Sequence, residues 1–160
     1  MRHCSMIVLA LAVVACAACG PAARNAVRSQ VGEIAESLRH PPESTIILTV
    51  DELMPPGSSE ICHGADRFYL IGSPLSEEEI QAHYDAQLGG EKWSNKGNDR
   101  DHSSWSRSNG RYSQALSIVF RNSLMEYLPS YREAIPRARA QFQTVYVLGI
   151  IVYTSDTCKG

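Results

Sequence analysis

Thr144–Tyr153, TVYVLGIIVY, is the stretch on which the fold turns. It is an uninterrupted apolar run dominated by β-branched and aromatic residues, longer than a turn and without the three-to-four spacing of a helix. It reads as the strongest strand of the chain, central in a sheet, with Gly149 as a candidate bulge. Upstream, Arg111–Arg121 reads as a second strand, because Ala115, Ser117 and Val119 alternate with Leu116, Ile118 and Phe120 before the run ends apolar. A weaker strand is expected near Asp101–Ser108, joined to it through Asn109-Gly110, the pair favoured by a two-residue type I′ hairpin turn.

The remaining elements follow outward from these strands. Ser123–Gln141 holds Pro129 and Pro136, so one long helix is not expected there; a short helix or a packed irregular segment carrying Tyr127 and Tyr131 is. Ser76 opens a capping box with Glu79, Leu75 and Ile80 sit at the positions of a hydrophobic staple, and Glu77–Glu79 complement the helix dipole. Ile80, Tyr84 and Leu88 form the buried stripe of that helix, and Gly89-Gly90 ends it. Thr45–Val50 and Arg67–Ile71 read as strands, and Val27, Val31, Ile34 and Leu38 mark one face of a first helix over about Ala23–Arg39, stopped by Pro41-Pro42. The order argues for a single α+β domain over residues 22–160, an antiparallel sheet of about five strands with the helices packed on one face.

Length and charge set the outer limits. The 160 residues carry 15 Lys+Arg and 17 Asp+Glu, a near-neutral balance that gives no footprint for nucleic acid, and no partner of that class is expected. The chain is long enough for one core and too short for two ordinary domains.

The N-terminus has a different character. Arg2 and His3 precede the ten apolar residues Met6–Ala15, MIVLALAVVA, after which Cys16–Gly20 is small and Pro21, Arg24 and Asn25 are polar. Ten apolar residues are about half of a membrane span, so the stretch reads as a signal peptide. Val13-Val14-Ala15-Cys16 resembles the lipobox of bacterial lipoproteins, in which the cysteine is diacylated and becomes the new N-terminus. Cys16-Ala17-Ala18-Cys19 offers a second acceptor: the aliphatic pattern favours Cys16, giving a signal over residues 1–15, whereas cysteine parity favours Cys19 and a signal over residues 1–18. The resemblance implies a lipid anchor in the cell membrane or outer membrane, with the domain facing periplasm or exterior. Neither Ala17 nor Gly20 is the Asp that marks inner-membrane retention in some bacteria. Arg24 and Arg28, four apart, share a helix face near that anchor.

Tyr69, Gly72-Ser73, Ser76, Glu79-Ile80, Tyr84, Leu88 and Trp93 also resemble a pattern of small bacterial lipoproteins: strand, Gly-Ser turn, capped helix, Gly, Trp. In that pattern Gly and Trp are usually adjacent, whereas Glu91 and Lys92 intervene here. The resemblance bears on local structure and carries no activity.

Candidate chemistry is sparse. Cys62 and Cys158, in an exported chain, read as a disulfide tying the loop before the second strand to the C-terminus. His63 with Asp66, His83 with Asp85, and Asp99, Asp101 and His102 lack the spacing of a zinc site, so neither metal nor cofactor is expected. No Gly-x-Ser-x-Gly elbow, Ser-x-x-Lys or phosphate loop is present, and the chain is not expected to be an enzyme. The rival reading is a small envelope hydrolase or metal-dependent enzyme that brings His63, His83 or His102 together with carboxylates. Trp105, Tyr112, Tyr127 and Tyr131, in polar surroundings, are the candidate contacts for an envelope protein or glycan. Trp105, alternating with Ser104 and Ser106 on a hairpin, is expected to face opposite to them, either exposed for a contact or packed into the core.

Overall fold

In the computed structural model, residues 4–54, 64–90, 93–98, 101–120 and 129–154 are described. They form α1 (Cys4–Ser37), β1 (Thr45–Met54), β2 (Gly64–Ser73), α2 (Glu77–Leu88), β3 (Ser94–Asn98), β4 (His102–Asn109), β5 (Tyr112–Val119), α3 (Pro129–Arg139) and β6 (Thr144–Thr154). The strands make one antiparallel sheet in the order β1-β2-β6-β5-β4-β3, so the apolar run of β6 lies inside the sheet, as its composition requires. The domain is α+β with six strands, one more than expected. The additional strand, β3, is the polar SNKGN on an edge, where exposure removes the apolar alternation by which strands are recognised. Among the described residues no helix is long and apolar enough to cross a membrane.

Strand alternation divides the core in two. Ala65, Tyr69 and Ile71 of β2, with Tyr146, Leu148, Ile150 and Val152 of β6, meet Val27, Val31, Ile34 and Leu38 of α1 and Ile80, Tyr84 and Leu88 of α2. Leu70 of β2 and Val145 and Val147 of β6 point the opposite way and meet Tyr131 and Ala138 of α3. The helices therefore cover both faces of β2 and β6, and only α1 and α2 share the single face expected for all of them. An unbroken apolar run needs cover on both sides, and α3 supplies the second. Each side chain fully buried in these clusters contributes about 1.5–3 kcal/mol.

Glycine positions show how closely the layers approach. Gly149 lies in unbroken register with β2 and β5 and is not a bulge; a side chain there would meet Ser117 Oγ at 2.9 Å and the Phe68 ring at 3.0 Å. The hairpin turn is also displaced by one residue, since Asn109 pairs with Tyr112 and leaves Gly110-Arg111 as the loop. Gly110 has φ +61° and Arg111 does not share a positive φ, the φ pattern of a II′ turn rather than I′. The capping box at α2 is present, with Ser76 Oγ accepting from Glu79 N–H and Glu79 Oε2 accepting from Ser76 N–H.

Candidate functional site

The aromatic hairpin turns inward. Trp105 is 1% exposed, faces the α1–α2 core, and donates from Nε1 to the Asp85 carboxylate of α2 at 3.0 Å. Alternation with Ser104 and Ser106 holds, and because α2 covers the tryptophan face, Trp105 is packed into the core rather than exposed for a contact. Tyr131 is buried between its own helix, α3, and the sheet, and Tyr112 is half-buried with the Arg111 guanidinium 5.2 Å from its ring centre. Tyr127, Cys62, Cys158 and His63 lie outside the described residues, and so do the side chains of Cys16 and Cys19 on α1. The expected aromatic binding surface is therefore not assembled among the described residues. Trp93 also has a local partner, the Arg107 guanidinium 4.3 Å from its ring centre, and Arg107 donates to Gln114, which donates to Gln30 of α1.

Two polar regions lie instead at opposite ends of the β1–β2 pair. At the end where β1 begins, His40 Nδ1 and Tyr84 Oη are 3.0 Å apart, Tyr84 Oη and Tyr146 Oη 3.2 Å, and Tyr146 bonds Ser44, whose Oγ donates to Ser73 Oγ at 3.0 Å. Each hydroxyl has one proton to give, so Tyr84 Oη donates to only one of its two neighbours. Burial, with the nearby His83, holds the His40 pKa below its ordinary value, and burial raises both tyrosines. His83 itself donates from Nε2 to the Arg39 carbonyl at 2.8 Å. This chain of bonds joins the α1–β1 connection, α2 and the sheet.

At the other end of the strands a cleft of about 470 Å3 is lined by Arg28, Val31, Asp51, Glu52, Ala65, Asp66 and Arg67. Antiparallel register sets Asp51 opposite Arg67 and Glu52 opposite Asp66. By alternation the Asp51–Arg67 pair lies on the α1 face with Val31 and Ala65, and the Glu52–Asp66 pair faces the opposite, α3 side, where Tyr131 lies. Arg67 donates to both Asp51 oxygens, at 2.6 and 2.9 Å, and its guanidinium holds the Asp51 carboxyl below the usual range. Asp66 is the opposite case. It is 8% exposed, and its Oδ1 has no hydrogen-bond partner among the described residues. Burial, and secondly the charge of Glu52, push its pKa up to about 6. Burial, and secondly the charge of Glu52, raise the Tyr131 phenol, whose Oη likewise lacks a partner among the described residues.

Sequence reading weighed Asp66 only as a companion to His63 and Arg28 only as part of a helix face. The missing information was register, which joins residues 14 to 16 positions apart. The available signal was a charged pair, Asp66-Arg67, beginning a strand whose remainder is apolar. Among the described residues no three or more His, Cys, Asp or Glu side chains could together hold a metal ion. The described lining of the cleft contains no histidine: His83 is on α2 and His102 begins β4.

No protein-family model, curated protein sequence or solved structure matches the chain.

Proposed function

We propose that the chain is a bacterial lipoprotein whose α+β domain is a non-catalytic binding or scaffolding module, held at a membrane surface by an acylated Cys16 or Cys19. The observation that carries this reading is the course of α1. The helix extends from Cys4 to Ser37, and its later turns supply Val27, Val31 and Ile34 to the core without an intervening linker. Arg28 and Val31 line the cleft, whereas Leu38 and His40 lie toward the other polar region, so the anchor enters at the cleft end. At a helical rise of 1.5 Å per residue, Arg28 stands roughly 14–18 Å along the axis from the two candidate cysteines.

Pro21 supports cleavage. Within the uncut helix it is an interior residue, where a missing N–H and ring clash cost about 3 kcal/mol or more. In a chain beginning at Cys19 it falls in the first turn, where the N–H has no intrahelical partner to lose. This favours Cys19, against the aliphatic residues 13–15 that favour Cys16. The reading also includes the Cys62–Cys158 disulfide, both cysteines of which lie outside the described residues.

Intact mass spectrometry of the membrane-extracted protein, with and without reduction, tests the reading. The expected mass is that of a chain beginning at Cys16 or Cys19 with a diacylglyceryl group and a reducible Cys62–Cys158 pair. An unmodified chain beginning at Met1 overturns the anchor, and free thiols overturn the disulfide.

A further inference from the structure

We propose that the end of the domain at which α1 enters, carrying Arg24 and Arg28 on the helix and Arg111 on the β4–β5 turn, is a docking surface for the anionic headgroups of phospholipids in the bilayer that holds the anchor. This deepens the reading above and rests on it. Strand register identifies what lies at that end. Gln30 of α1 accepts from Gln114 of β5, which pairs with Val152, two residues before β6 ends. From that level α1 runs on toward its N-terminus, and the hairpin runs on to Asn109, Gly110 and Arg111, all exposed. The two advances match, since six helical residues from Gln30 to Arg24 and three strand residues from Gln114 to Arg111 each cover roughly 9–10 Å. Arg24 and the turn therefore reach one level beyond the sheet.

The charge on that end is one-sided. Arg24, Arg28 and Arg111 are exposed, and Arg24 makes no hydrogen bond or ion pair among the described residues. The described carboxylate beside them on the α1 face is Asp51, already held by Arg67 through both oxygens, while Glu52 and Asp66 belong to the α3 side. On α1 itself the acids begin only at Glu33, a turn beyond Arg28. A chain of net charge −2 thus gathers exposed guanidinium groups at the end from which its helix leads to the acceptor cysteines.

Distance and chemistry name the occupant. Arg24 precedes the core residue Val27 on the same helix, so the level it shares with the turn lies roughly 8–12 Å from Cys19 or Cys16. That is about one Debye length at physiological ionic strength, within which the negative potential of an anionic leaflet attracts Arg. A guanidinium matches a lipid phosphate through paired N–H donors. Tyr112, against whose ring Arg111 lies, and Tyr153 are half-buried at the same end, where a ring with one polar tip suits the membrane–water boundary. Arg28 stands beside Arg67 of β2 and the turn opens β5, two strands away, roughly 10 Å across the sheet. A single free phosphate does not bridge that width, whereas a charged plane meets both.

The test is amide NMR of the membrane-extracted full chain in lipid nanodiscs that contain a headgroup-nitroxide lipid, with phosphatidylcholine alone or in equal parts with phosphatidylglycerol. Amides of Arg24–Arg28 and Asn109–Arg111 should relax severalfold faster in the anionic discs, while those of Arg39, His40 and Ser73 at the far end do not respond. Molar sodium chloride should remove the difference. The combined variant Arg24→Gln, Arg28→Gln and Arg111→Gln should remove it too, with unchanged amide shifts elsewhere reporting an intact fold, and Arg39→Gln should keep it. Equal relaxation in the two discs, or a difference that survives the combined variant, overturns the proposal, because the tether alone then accounts for the approach. Relaxation centred on the far end also overturns it. Intact mass of the disc-bound protein reports acylation separately: an acylated chain without dependence on lipid charge overturns the surface and leaves the anchor standing, and an unmodified chain overturns both.

Discussion

The two ends of the β1–β2 pair treat buried polar groups in opposite ways. Ser73 and Asp66 are seven residues apart on one strand, roughly 23 Å at the usual rise. Toward Ser73 the polar groups are linked in a continuous chain, His40–Tyr84–Tyr146–Ser44–Ser73. Around Asp66 a carboxyl is buried with one oxygen unanswered, beside a second carboxylate. A chain of paired groups rigidifies the fold. A buried group left open lowers stability and leaves an acceptor in place. Such a contrast within one strand pair separates an end whose buried polar groups are paired from an end where one is not.

The sharpest way to break the comparison is Tyr84→Ala. It removes a fully buried ring and leaves His40 and Tyr146 without their shared partner, and urea unfolding should show a loss of about 3–5 kcal/mol. Tyr84→Phe keeps the ring and removes only the shared hydroxyl; a loss of about 1–2 kcal/mol is expected. If that variant is neutral, the hydrogen-bonded chain is not what holds this end.

At the open end the sign reverses. Asp66 has a raised pKa, so its protonated form stabilises the folded state below pH 3.8, and this contribution is lost as the pH rises through about 6. Asp66→Asn mimics the protonated form and should stabilise the domain by about 1–2 kcal/mol at pH 7.5, read in the same unfolding experiment. His40 runs the other way: its pKa is depressed, so its contribution is present above pH 6.5 and is lost on acidification. Unfolding midpoints should therefore rise from pH 5 to 7 in Asp66→Asn, where only the histidine slope remains, and fall over pH 4 to 6 in His40→Gln. The smallest effects should lie outside both regions. Ser76→Ala removes the α2 cap and should cost about 1 kcal/mol, and Arg67→Ala, which breaks a largely exposed pair, no more than about 1 kcal/mol.

Legibility in the sequence followed the range of the forces involved. The α2 cap, its Ile80, Tyr84 and Leu88 stripe and the α1 stripe are set by residues three or four apart, and all are found where spacing puts them. The β6 run was legible for the same reason. Trp105 was not legible because alternation states which residues share a face and not which face is covered; α2, ending 17 residues earlier, decides that. The polar β3 offered no pattern, and the cleft depends on register between two strands.

The sequence by itself determined the apolar periods, the α2 cap and the α+β class, because these are properties of neighbours along the chain. Only the tertiary structure decided that α3 covers the second face, that the tryptophan hairpin closes inward, and that Glu52 meets Asp66 across the strands. Those outcomes depend on which surfaces compete for the same burial and on a register that carries no local signature. The unanswered carboxyl of Asp66 exists only once the two strands are aligned.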